Sequence, residues 1–186
     1  MESNIININQ DRKGNFFMRK LGKLEPARVF YYFEEISKIP RCSHNEQAIS
    51  DYIVKVGEEL GLETIQDDFL NVIIRKPPTL GFENSKGIII QGHMDMVCEK
   101  EDDSDHDFAK DPIQLIVDGD FISADGTTLG ADNGIAVAMG LAVMEDTSLE
   151  HPGIELLITT SEETKMQGAI GLSDSVLRGS RLINLD

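Results

Sequence analysis

The run Gly87-Ile-Ile-Ile-Gln91 is apolar throughout its centre and too short for a helix, which marks a strand covered on both faces. Ile154–Thr159 reads as a second central strand, and Arg181–Leu185 as a last one. Strands of that kind need helices on either side of their sheet, and helical patterns do alternate with them. Pro26 opens one, with Val29, Phe30, Phe33 and Ile36 at helical spacing, and Pro40 stops it. A second helix is expected from Ser43, where Ser43 and Glu46 form a capping-box pattern and Gly61 supplies the stop. Residues 132–145 read as a buried alanine-rich helix, and 168–176 as a short helical region. Leu62–Gln66 and Phe69–Arg75 read as two strands, and Asp118-Gly119-Asp120 as the turn of a hairpin joining 114–117 to 121–124. The expected class is α/β, a three-layer α/β/α sandwich around a mixed, mostly parallel sheet.

The 186 residues suit one domain. Residues 1–20 are polar and aperiodic and read as a loose extension, leaving 21–186 as the folded part. A net charge of −16 argues against nucleic acid or an anionic membrane as partner, and no apolar run approaches the ~20 residues of a membrane-spanning helix. The first residues, MESNIININQDRKG, lack the apolar stretch of a secretory signal. Two cysteines, Cys42 and Cys98, are too few for a disulfide framework and read as reduced thiols in a cytoplasmic protein. Asp186 follows directly on the last strand, so the sequence reads as the N-terminal part of a longer protein.

Four polar clusters share one placement, at the end of a buried strand or the start of the next helix: His93-Met94-Asp95, Asp132-Asn133-Gly134, Glu162-Glu163 and Asp186. In open α/β sheets the carboxyl ends of the strands form the ligand-binding side. Each cluster alone has a plain structural reading, such as a helix cap or a solvated acidic pair. Acids repeated on one side of a sheet, however, repel one another unless something positive neutralises them. One imidazole among carboxylates is a mixed nitrogen–oxygen donor set suited to Zn²⁺, Mn²⁺ or Co²⁺. Asp95 is placed to fix the tautomer of His93, and one glutamate of the doublet could bind metal while the other acts as general base. The acidic stretch Asp103–Asp107 resembles a calcium loop but has Phe108 where the glycine belongs, and reads as a solvated loop.

The segments GHMDMVCEK, HDFAKDPI, DGTTLGADNGIAVA, SEE followed by GAIGL, and LINLD occur in the order found in the aminoacyl-histidine (Xaa-His) dipeptidases. These belong to the zinc exopeptidases together with peptidase T, carboxypeptidase G and the aminoacylases, and the resemblance runs from about Leu24 to Asp186. It implies two divalent ions, with zinc first and manganese or cobalt as substitutes. Asp132 matches the bridging ligand, His93 and Asp186 ligands of one ion, and Glu163 a ligand of the other. Glu162 matches the general base that activates the metal-bridging water, Asp95 the partner of His93, and Asp132-Asn133 a cis peptide. The implied reaction is hydrolysis of a dipeptide such as β-alanyl-histidine, with a homodimer open for the full-length enzyme.

Family members continue into a lid domain and a final histidine ligand. Neither is present here, since His106 and His151 lie in other segments. The expectation is therefore one well-held ion and little peptidase activity for this chain alone. Two other readings stand beside it: an aminopeptidase or N-acyl-amino-acid deacylase of the same family, and a non-catalytic metal-binding fragment.

Overall fold

The computed structural model describes residues 9–10, 16–17 and 19–186. The extension expected at 1–20 lies outside these apart from Arg19, Lys20 and an antiparallel pair, β1 (Asn9–Gln10) with β2 (Phe16–Phe17). Helix α1 (Ala27–Ile36) follows Pro26, where the sequence opens it. Helix α2 (Gln47–Glu59) starts four residues later than the Ser43 pattern predicts. The capping box does not form because both of its side chains are engaged elsewhere: Ser43 with Asp95, and Glu46 with Ser161.

Strands β3 (Glu63–Gln66), β4 (Val72–Lys76) and β5 (Ile88–His93) come next, followed by the hairpin of β6 (Leu115–Asp118) and β7 (Phe121–Ala124). Helix α3 (Ala131–Glu145), strand β8 (Ile154–Thr159), the short α4 (Gln167–Gly171) and β9 (Arg181–Asn184) complete the order. Five strands form one sheet in the order β3-β4-β8-β5-β9. It is mixed: β3/β4 and β4/β8 pair antiparallel, whereas β8/β5 and β5/β9 pair parallel.

Side chains alternate across the sheet as the two-residue period requires. Ile154, Leu156 and Ile158 of β8, with Val72 and Ile74 of β4, face the layer made by α1, α2 and α3. Ile73, Ile89 and Leu157 face the other way, where Leu172, Val176 and Leu177 form a thinner cover. The buried Arg75–Glu155 pair ties that cover down, since Glu155 also accepts the amides of Arg178 and Gly179. The hydrophobic core therefore lies mainly on the helix side.

Two expectations are corrected. Strand β9, read as central, lies at the edge of the sheet with all four residues exposed, because among the described residues it pairs only with β5. The cysteines read as free thiols are joined: Cys42 and Cys98 form a disulfide with Cα atoms 5.7 Å apart. A parallel bridge between Cys42 and Met96 carries the two segments side by side, a closeness that a sequence separation of 56 conceals. No helix among the described residues is long and apolar enough to cross a membrane.

Candidate metal centre

The parallel pair β5 and β8 ends on one side of the sheet, and the polar clusters gather there. His93 is the last residue of β5, paired with Thr159 of β8, and is fully buried. Its Nδ1 faces Asp95 Oδ1 at 3.2 Å, and the Asp95 carbonyl lies at the same distance. That contact places a proton on Nδ1 and leaves Nε2 to look outward. Nε2 lies 3.2 Å from Asp132 Oδ1 and 3.8 Å from both Glu162 Oε2 and Asp186 Oδ1. Among the described residues two triplets offer ligand atoms within 4.8 Å of one another: His93, Asp132 and Asp186, and His93, Glu162 and Glu163.

Asp95, fully buried, organises the floor. It accepts the Ser43 hydroxyl at 2.7 Å and the amides of Glu162 and Glu163 at 3.0 and 3.2 Å. The turn presenting the glutamate doublet is thus hung on the same carboxylate that orients the imidazole. Ser161, just before it, has a positive φ of 54° and is held by Glu46. On the other wall, the Asp132–Asn133 peptide is cis. Both residues depart from helical geometry, so regular α3 begins after them and Asp132 is not a side-chain cap. Asn133 Oδ1 accepts the His93 amide at 3.1 Å, while its Nδ2 donates to Asp186 Oδ1 at 3.2 Å.

The electrostatics follow from this crowding. Burial would lower the His93 pKa, but the Asp95 hydrogen bond and the charges of Asp95, Asp186 and Glu162 carry it above the ordinary 6.5. Asp95 falls below the usual aspartate value: burial opposes this, and hydrogen bonds from His93, Ser43 and the Glu162 amide overcome it. Glu163 is raised, first by burial and then by the charge of Asp132.

The donor set fits a divalent cation. An imidazole lone pair facing three carboxylate oxygens is repulsive unless a second proton or a cation lies between them. All six residues singled out in the sequence meet here. The calcium-like stretch does not form a ligand cluster, because Asp107 accepts from the Ala109 amide and Lys110. His151 bonds through its backbone to Thr79, beside the residues that precede β8, and His106 packs on Phe108.

Sequence reasoning missed the supports. Arg41, almost wholly buried, donates to the carbonyls of Met94 at 3.1 Å and Gly130 at 2.5 Å. Burial pulls its pKa down to about 10 against the opposing charge of Asp95, so it stays charged at neutral pH. Ser43 and Glu46 were visible only as a helix cap, and the lone arginine in KIPRCS carried no local signal.

Fold and site together define an α/β domain built around a candidate cation centre at the carboxyl ends of parallel strands. The chain belongs to peptidase family M20/M25/M40, whose model matches residues 89–184. It is 44% identical over 169 residues to the cytosol non-specific dipeptidase of Escherichia coli, covering 91% of this chain and 35% of that protein. The crystal structure of aminoacylhistidine dipeptidase from Vibrio alginolyticus superposes with a TM-score of 0.87 at 46% identity, covering 90% of this chain and 34% of that one. The Bacillus subtilis YXEP protein, described as a dinuclear metal-binding peptidase, shares the fold at 16% identity with a TM-score of 0.52, over 84% of this chain and 42% of its own. The chain spans about a third of the length of its dipeptidase relatives.

Proposed function

We propose that this chain carries the metal-binding part of a two-metal dipeptidase, acting on dipeptides of the Xaa-His type. One observation carries the reading: His93 Nε2 lies within 3.2–3.8 Å of carboxylate oxygens from three separate segments of the chain. His93, Asp132 and Asp186 would hold one ion, with Asp132 and Glu163 reaching a second. Bound there, divalent ions would supply Lewis acidity, polarising the scissile carbonyl and lowering the pKa of water.

The chain's own residues do the rest. Asp95 keeps the proton on Nδ1 of His93, so that Nε2 remains a donor atom. Glu162 is partly exposed and its amide is pinned by Asp95. Its carboxylate would take the proton of the attacking water and pass it to the leaving amine. Dipeptides as substrates are common to the names of the E. coli and Vibrio relatives; a histidine in the second position comes from the Vibrio protein alone. A cytoplasmic location rests on the E. coli name.

Titration of the metal-stripped chain with Zn²⁺ and Mn²⁺ by calorimetry, beside Asp132→Ala, tests the reading. The expected result is one tight ion per chain, lost in the variant, with little turnover of β-alanyl-histidine because, among the described residues, this reading gives the second ion two ligands, Asp132 and Glu163. Absence of binding by a folded wild type would overturn it. On a full-length enzyme, β-alanyl-histidine compared with a tripeptide and an N-acylated amino acid separates the dipeptidase from its aminopeptidase and deacylase cousins.

A further inference from the structure

His93 at the end of β5 and Asp132 at the start of α3 are 39 positions apart in sequence, and one side chain outside the ligand set joins the main chains beside them. Arg41 sends Nη1 to the Met94 carbonyl, next to His93, and Nη2 to the Gly130 carbonyl, two residues before Asp132. None of the carboxylates is its hydrogen-bond partner; these bonds, and a longer one of 3.5 Å from Nη1 to the Asp95 carbonyl, all fall on backbone. The molecule also makes room for it. Gly130, at φ +69°, would put a Cβ into the guanidinium, and a Cβ on Gly134 would lie 2.7 Å from Nη2. Glycine at these two positions therefore fits a guanidinium lying between the start of α3 and the end of β5.

We infer that Arg41 is a positioning residue that sets the spacing between His93 and Asp132, and through it the geometry of the ion held between them. The inference rests on the metal reading above. A planar guanidinium holds two carbonyls from separate nitrogens in fixed geometry, whereas a lysine ammonium must serve every acceptor from one flexible nitrogen, so Arg41→Lys loosens the clamp. Loss of the clamp lets Asp132 drift from the imidazole while the hydrophobic core stays in place.

Co²⁺ titration of the metal-stripped 186-residue chain tests this, read by visible absorption and calorimetry in wild type, Arg41→Lys and Gly134→Ala. Circular dichroism and thermal unfolding of the metal-free proteins report folding separately. The expected result is binding weakened about 10- to 100-fold in both variants, the range seen when an outer-sphere support is lost, with an altered Co²⁺ absorption band. A merely structural arginine would lower the melting temperature and leave the band and the affinity unchanged, which overturns the inference. If Arg41→Lys does not fold, Gly134→Ala decides alone: an unchanged band and affinity overturn the inference, and a shifted band with weaker binding supports it. A folded wild type that takes up no Co²⁺ overturns the metal reading itself, and the inference with it.

Discussion

The buried carboxylate of Glu46 accepts both the amide and the hydroxyl of Ser161, at 3.0 and 2.9 Å, across 115 positions of sequence. The contact fixes a serine in the left-handed region directly before the glutamate doublet. Both bonds fall on one oxygen, Oε1, so Glu46→Ala leaves both Ser161 donors unmet. A loss of about 1–3 kcal/mol in urea unfolding is expected, and Ser161→Ala should lose less because the amide bond survives. Equal losses in the two variants would contradict this account.

In the metal-stripped chain, His93 holds its proton more tightly when folded than when unfolded, because its folded pKa lies above 6.5. Its contribution to stability is therefore complete below about pH 6.5 and disappears as pH rises through the folded value. Asp95→Asn removes the strongest group raising that pKa, while burial, which lowers it, remains. An NMR titration of the His93 ring should show the midpoint fall in the variant; a midpoint that stays put would refute the assignment.

Gly92 precedes the imidazole in β5. A Cβ there would lie 2.5 Å from Asn133 Oδ1 and 2.8 Å from Ala136 Cβ, closer than packed atoms allow. Since Asn133 Oδ1 receives the His93 amide, Gly92→Ala should push the Asp132–Asn133 segment away from the ring. The expected cost is about 1–3 kcal/mol of stability from overpacking, with weaker Zn²⁺ binding measured by calorimetry. Wild-type affinity in a folded variant would show that this wall tolerates displacement.

The Cys42–Cys98 bridge closes a loop of 56 residues. On the chain-entropy view such a closure stabilises by about 4 kcal/mol. Urea unfolding with and without a dithiol reductant, and of the Cys42→Ser and Cys98→Ser pair, should show a drop of that order. Identical curves would mean that the bridge adds nothing to the folded state.

Local periodicity in the sequence was enough to place the alternating strands, the Asp-Gly hairpin and the alanine-rich helix, because each depends on neighbours a few residues away. The gathering of His93, Asp132, Glu162 and Asp186 was legible for a related reason: strand ends on one side of a sheet share a location by topology alone. What escaped was partner choice over long separations. Ser43 and Glu46 satisfy a helix-cap pattern locally, yet their better partners lie 52 and 115 residues away. Cys42 and Cys98 gave no sign of pairing, since their closeness arises from a β-bridge that neither flanking segment encodes. Arg41 is a bare charge in the sequence, and only packing shows it lying between two glycines.

Asp95 touches the imidazole, the Ser43 hydroxyl and the amides of both glutamates at once. Asp95→Ala therefore disturbs the imidazole and the turn bearing Glu162 and Glu163 together, and its effect on metal affinity should fail to add to that of a substitution at His93, Glu162 or Glu163. The roles proposed for these residues can be named one by one, but in a mutational experiment side chains that share this support behave as a single unit.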